Sequence, residues 1–418
     1  MTYRGVSTIG WLDTDDQQTR QVRAAIAGLD DKEALDPLGL GGIRDAFAER
    51  LFPGTSTIQT RLRYFLFVPW ILQDLEVARP DRRRFEHQLR SRELRLIESL
   101  RNSEGRGVGV IGYRARQRVS RLPSSIYWYG LGSWGIRRDA RLSLSQYRDA
   151  LTRRGTVSAR DRDPELAVAP QLMWDPGLPD APPGFPDEGV DLQVTRKEAQ
   201  YLQDRMAQTR LDLTGGEEQP SLLAIIALDP DRWLQAWAPW EGPILGLPQS
   251  VGDLLRHGQL FSLVTFGAQL LYNVLLCAEA ERRCGVDSDD LATWLHDQLA
   301  DWVTAMTASK GELADWWSQP NEFWDVVPMA GARVRPVTQR FLHQWITSAI
   351  RSPRDATTNR SLAAALVAQE QSLKGRYARL SDMSALQSWR GEPLGAARQT
   401  YRWPTVRRLL ADLRDGLA

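Results

Sequence analysis

Between residues 42 and 70 the apolar positions fall into two helical patterns joined by a Pro-Gly turn. In the first, Ile43, Phe47 and Leu51 recur every four residues and draw one apolar stripe, which Pro53-Gly54 ends. The hydroxyls of Thr55, Ser56 and Thr57 are placed to cap the free amides of a second helix. From there Ile58, Leu62, Phe65, Pro69, Leu72 and Leu75 share one face, while Phe67, Val68, Trp70 and Ile71 fill the others. A helix apolar nearly all round is a buried one. Pro69 removes the bond to the carbonyl of Phe65, so the pattern predicts a kink there.

Helical periodicity continues along most of the chain. Val22, Ile26 and Leu29 predict a helix over residues 13 to 35. Phe85, Leu89, Leu96 and Leu100 predict a basic amphipathic helix over residues 81 to 100, broken by the glycines that follow, up to Gly112. Seven prolines between 161 and 190 forbid regular structure and mark a linker. Thr195 and Glu198 have the spacing of a capping box. Residues 222 to 228 fit a helix or a buried strand equally. Residues 251 to 280 predict a central buried helix, in which Gly267 and Ala268 allow close approach and a buried Asn273 needs a partner. Further helices are expected at 291 to 308 and 341 to 350, and two or three between 361 and 417. Trp316, Trp317, Phe323 and Trp324 suggest an aromatic cluster. The expected fold is mainly α and multi-helical, in two or three helical domains with at most minor β content. The expected domains are 1–160, a linker at 161–190, an acidic helical domain at 191–350 and a basic helical block at 351–418.

With 418 residues, 42% apolar and 25% charged, the composition is that of an ordinary globular protein. No uninterrupted apolar run approaches the roughly 18 residues at which a membrane span is expected, so no membrane partner is anticipated. Two cysteines, Cys277 and Cys284, cannot make a disulfide framework, which fits a cytoplasmic setting. The net charge of +1 conceals segregation: residues 79 to 160 carry 20 Arg against 7 carboxylates, and residues 161 to 330 carry 10 basic against 28 acidic side chains. Residues 331 to 418 are basic again, 15 against 6. The basic blocks could attract a polyanion, or be neutralised by the acidic middle.

Arg114, Arg116, Arg118, Arg121, Arg137 and Arg138 flank Tyr127, Trp128, Tyr129 and Trp134. Guanidinium groups neutralise phosphates, and aromatic faces accept stacked bases at about 1–3 kcal/mol each. The same residues also fit a core whose Arg stems reach out to solvent. Ser124 and Ser125 are placed to cap a short helix there. Lys374, Arg376 and Arg379 offer a second phosphate-contacting edge. Arg61 and Arg63 lie in an otherwise apolar stretch, where each needs a carboxylate, a helix C-terminus or a bound anion. Asp45, beside Arg44, is the preferred protein partner. Asp45 and Glu49, four apart, could instead share a divalent cation.

Several chemistries lack their residues. With lysine at 32, 197, 310 and 374 alone, there is no GxxxxGK(S/T) loop and no His-x-Lys pair. Gly107 to Gly112 spells GxGxxG without a preceding strand, and Asp30-Asp31-Lys32 lies in a helical pattern. Neither a clustered zinc set nor a Gly-x-Ser-x-Gly elbow is present, and no cofactor is expected.

The segments GIRDAF at 42–47 and LFPGTSTIQTRLRYFLFVPW at 51–70, with Gly10-Trp11-Leu12 before them, carry a resemblance. So do RLPSSIYW at 121–128, GAQLLYN at 267–273, LKGRYARL at 373–380 and YRW at 401–403. The chain resembles an uncharacterised family of bacterial proteins, a domain of unknown function with this signature; Arg44, Asp45, Arg61, Arg63 and Trp70 belong to the signature core. The resemblance supplies no catalytic residue. It implies a bacterial setting near antiviral defence genes, beside helicases and nucleases. The expectation is a non-catalytic, nucleic-acid-associated subunit of a defence complex, binding DNA or RNA. The alternatives are a protein-only scaffold and a metal-dependent nuclease of unrecognised type that uses Asp45 and Glu49.

Overall fold

The computed structural model describes residues 36–78, 80–103, 107–154, 173–213 and 216–418. The helix expected over residues 13 to 35 lies outside them, as do Gly10-Trp11-Leu12 and Asp30-Asp31-Lys32. Among the described residues the protein is mainly α, with sixteen α-helices and one two-stranded sheet. The chain forms two compact units, each assembled from separated stretches.

The larger unit takes in Gly42–Ser262, Gln319–Arg333 and Gln399–Ala418. Its first helices are α1 (Gly41–Leu51) and α2 (Tyr64–Ala78). The second signature helix therefore starts nine residues later than its Thr-Ser-Thr cap suggested. Residues 52 to 63 are turns and irregular chain, because their amides are claimed by distant side chains. The Tyr127 hydroxyl accepts from the amides of Thr60 and Arg61 at 2.8 and 3.2 Å and donates to the Arg61 carbonyl at 2.9 Å. Asp412 accepts from the amide of Leu62 at 2.8 Å.

α2 is buried on every face from Tyr64 to Leu72, with Pro69 inside it. Phe65 stacks on Trp134 at 3.8 Å, and Phe67 and Trp70 pack against Phe185. Rings of this size each bury on the order of 150–250 Å², so such contacts dominate the core. The described part of the Pro-rich stretch is irregular, as its prolines require, yet it is packed: Trp174 is buried, and the carbonyl of Pro179 accepts from Trp70 Nε1 at 2.7 Å. α3 (Arg82–Ser103), α4 (Pro123–Ser133) and α5 (Leu144–Arg154) follow α2.

α6 (Arg196–Ala207) opens with the expected capping box: Thr195 Oγ1 accepts from the Glu198 amide, and Glu198 accepts from the Thr195 amide. Strands β1 (Arg210–Asp212) and β2 (Glu218–Pro220) pair antiparallel, with Leu211 opposite Gln219. The ambiguous apolar run is α7 (Leu222–Leu228), capped by Ser221. α8 (Gln249–Cys284) holds Phe261, which lies with Phe47 and Phe323 in one aromatic group; Phe323 comes from α11 (Pro320–Met329). The terminal α16 (Trp403–Leu417) packs on α6. By length and composition α8 could cross a membrane, but 78% of its most apolar window is buried, as in a core helix.

The smaller unit holds Leu263–Ser318 and Val334–Arg398, with residues 36 to 41. α9 (Asp289–Ala308) lies close on α8: a Cβ at Gly267 would sit 2.3 Å from the ring of Trp302. Trp302 and Trp345 donate to the carbonyls of Leu263 and Val264. Asn273 finds its partner in the backbone of Leu394, donating to its carbonyl at 2.9 Å and accepting from its amide at 2.7 Å. α10 (Lys310–Trp317), α12 (Pro336–Arg351), α13 (Pro353–Thr358), α14 (Arg360–Lys374) and α15 (Met383–Gln387) complete this unit. The expected cluster of four aromatics divides: Trp316 and Trp317 pair in this unit, whereas Phe323 and Trp324 pair in the larger one.

Candidate nucleic-acid interface

On α3 the apolar stripe is Phe85, Leu89, Leu96 and Leu100, all buried. Arg83, His87 and Arg90 follow the i, i+4, i+7 spacing and so share another face. Arg90 reaches from that face to the chain beyond Gly107, donating to the carbonyl of Gln117 at 2.6 Å and to that of Val119 at 3.4 Å. The same segment is held from beneath. The Ile111 amide donates to the Tyr64 hydroxyl at 3.0 Å, the Thr60 hydroxyl donates to the Gly109 carbonyl at 2.7 Å, and Val119 is buried. Residues 116 to 118 close a single 3-10 turn.

With the backbone fixed from below, Arg114, Arg116, Arg118 and Arg121 project outward and are exposed. None of the four enters an ion pair among the described residues. Five other arginines of this basic block are paired locally: Arg82 with Asp149, Arg84 with Asp81, Arg92 with Asp74, Arg101 with Glu98, and Arg148 with Glu86. Among the described residues, Arg95 with Asp187 is the one ion pair that links the basic block to the acidic middle. Neutralisation by that middle does not reach the turn.

Much of the aromatic half of the expected surface lies inside, although Tyr129 is exposed. Tyr127 is fully buried between Tyr64 and Phe65, and burial pushes its hydroxyl up to about 12. Trp134 is buried, with Nε1 donating to the Pro53 carbonyl at 2.9 Å. Trp128 donates to the Leu142 carbonyl and carries the guanidinium of Arg137 over its ring at 4.4 Å. Arg137 is itself buried and spends its donors on the carbonyls of Asp139, Trp128 and Ala140; burial lowers its pKa. Tyr127 and Arg137 are therefore interior residues, not contacts offered to a ligand. Arg138 is exposed. The expected serine cap fails as well: α4 begins after Leu122 without a side-chain cap, and the Ser124 amide donates to Glu93 at 2.6 Å.

The signature core is corrected in the same way. Asp45 pairs with Arg44 on the surface, and both are about half exposed, at 55% and 47%. Arg61 instead pairs with Asp412 at 2.9 Å, and Arg63 with Asp191 at 2.7 Å and Glu198 at 2.9 Å. Burial raises the pKa of Asp412 despite the opposing pull of Arg61. Glu49 is occupied by Arg402 at 3.0 Å, the Tyr129 hydroxyl at 2.6 Å and the Gly54 amide at 3.3 Å, which leaves no shared cation position with Asp45. No group of three metal-ligating side chains occurs among the described residues. In the smaller unit, Arg376 is exposed and donates to the Tyr377 hydroxyl at 2.7 Å. Lys374 and Arg379 are half-buried.

Sequence reasoning missed Glu93 and Asp412, although each left a signal. Glu93 continues the stripe of Phe85 and Leu89 at intervals of four, and Asp412 lies one turn from buried Leu409. A carboxylate on an apolar stripe needs a buried donor. Asp412 finds Arg61 and the Leu62 amide. Glu93 finds the Ser124 amide and no ion-pair partner among the described residues, and burial pushes its carboxyl up to about 7.

The model of the family of unknown function DUF6361 matches residues 6–417, so the chain belongs to that family. No curated protein and no solved structure matches it.

Proposed function

We propose that the protein is a non-catalytic, nucleic-acid-associated subunit of a bacterial antiviral defence complex, working in the cytoplasm beside helicase or nuclease proteins. The observation that carries the nucleic-acid part is the turn bearing Arg114, Arg116, Arg118 and Arg121, four exposed guanidiniums without an ion-pair partner among the described residues. A fixed backbone presenting unpaired cations suits phosphate contact, since binding then releases counterions without reordering the site. The setting within a defence complex is carried by the family resemblance alone.

The test is binding of the purified protein to DNA and RNA across a salt series, beside a variant with these four arginines changed to Glu. Each neutralised phosphate contributes about 0.9 to the slope of log K against log salt, so the parent slope should exceed the variant's by roughly 3–4. Absence of binding at low salt, with the protein folded, refutes the proposal.

A protein-binding role has its own observation. Trp237, Ile244 and Leu245 are 48%, 53% and 97% exposed within one stretch of the acidic middle. Several exposed apolar side chains in one short stretch favour a docked partner, which suits a subunit and equally the scaffold alternative.

A further inference from the structure

We infer that the basic turn grips the backbone of a duplex and not the bases of a single strand; the inference rests on the nucleic-acid reading above and names its substrate class. Single-strand binding normally combines a cationic groove with aromatic faces on which bases stack. Around this turn the faces are taken. Tyr113 lies so close to Gly107 that a Cβ there would sit 2.2 Å from its ring, and the Arg101 guanidinium stands 5.3 Å from the ring centroid. Trp128 is covered by Arg137, Tyr127 is enclosed by Tyr64 and Phe65, and Trp134 is stacked on Phe65.

Tyr129 is the exposed aromatic ring of residues 113 to 138, at 58%, and its hydroxyl is tied to Glu49. Apart from that ring, what remains at the surface is charge. Arg83 extends it along the α3 face from which Arg90 holds the turn, and has no ion-pair partner among the described residues. A duplex presents one phosphate charge per about 1.7 Å of axis, roughly twice the density of one strand, so a contact made of guanidinium groups alone favours it.

The experiment measures fluorescence anisotropy with labelled 20-nucleotide single strands and 20-base-pair duplexes, of DNA and of RNA, at one salt concentration. Three full-length proteins are compared: the parent, Arg83→Glu and Tyr129→Ala. The expected results are a duplex preference of about tenfold or more, little dependence on base sequence, a loss of several-fold on duplex with Arg83→Glu, and less than a twofold change with Tyr129→Ala. Equal or tighter binding of single strands, or a tenfold loss with Tyr129→Ala, overturns the duplex inference while leaving nucleic-acid binding intact. Failure of the folded parent to bind any of the four probes overturns both.

Discussion

Arg116 adopts a left-handed backbone conformation, with φ of +49°, where a side chain costs roughly 1–2 kcal/mol. Glycine would relieve that strain, partly offset by its greater freedom in the unfolded chain. For Arg116→Gly, thermal stability should hold or rise by up to about 1 kcal/mol while duplex affinity falls several-fold. Affinity and stability falling together would make Arg116 a prop of the turn and not a contact. Glu93 supplies a prediction of the opposite kind, in stability alone. Its folded-state pKa of about 7 lies above the unfolded value of 4.5, so the folded protein holds the extra proton between these limits. Stability from this site is full below about pH 4.5 and is lost as pH rises through 7. Glu93→Gln keeps an acceptor for the Ser124 amide and cannot ionise. In urea titrations it should exceed the parent at pH 8 by on the order of 3 kcal/mol, with the gap closing as the pH falls toward 4.5. A gap independent of pH would mean that Glu93 is not the group that titrates.

Elements with a periodic apolar stripe were legible in the sequence, because periodicity is a local property. α3, α9, α12 and the capped start of α6 lie within a few residues of their expected positions. The loop of residues 52 to 63 was not legible: its Thr-Ser-Thr cap is a local signal, whereas its structure is set by Tyr127 and by Asp412, which lies 351 positions from Arg61. The candidate surface divides in the same way. Its arginines were visible as a run of one residue type, but whether the neighbouring rings stack on a ligand or on each other depends on packing that the sequence does not display. Tyr127→Phe tests the account of the loop. It preserves the ring contacts and leaves the Thr60 and Arg61 amides without their acceptor, so the urea midpoint should fall by the equivalent of about 1–3 kcal/mol. A midpoint unchanged from the parent would show that water replaces the hydroxyl and that the loop is held elsewhere.

For the molecule as a whole, the charge pattern along the chain and the ion pairs in space differ instructively. A basic block followed by an acidic one suggests mutual neutralisation, yet among the described residues the basic block meets the acidic middle in one ion pair, Arg95 with Asp187, and the acidic middle supplies Asp191 and Glu198 to Arg63 of the signature. The terminal helix likewise supplies Asp412 to Arg61. Both partnerships fall inside the larger unit, which gathers three separated stretches of chain. The dependence is physical, because a guanidinium left in the interior without its carboxylate costs roughly 3–5 kcal/mol. For buried Arg63 that loss alone approaches the low end of the 5–15 kcal/mol that a domain has in hand, and half-buried Arg61 adds a smaller one. A fragment of residues 1 to 160 retains Arg61 and Arg63 but lacks Asp191, Glu198 and Asp412. It should show no cooperative urea transition by circular dichroism, although the full chain does. A sharp transition in the fragment would mean that the signature helices form a self-sufficient core in which these guanidiniums reach water, and that the long-range carboxylates add affinity between segments without being required for folding.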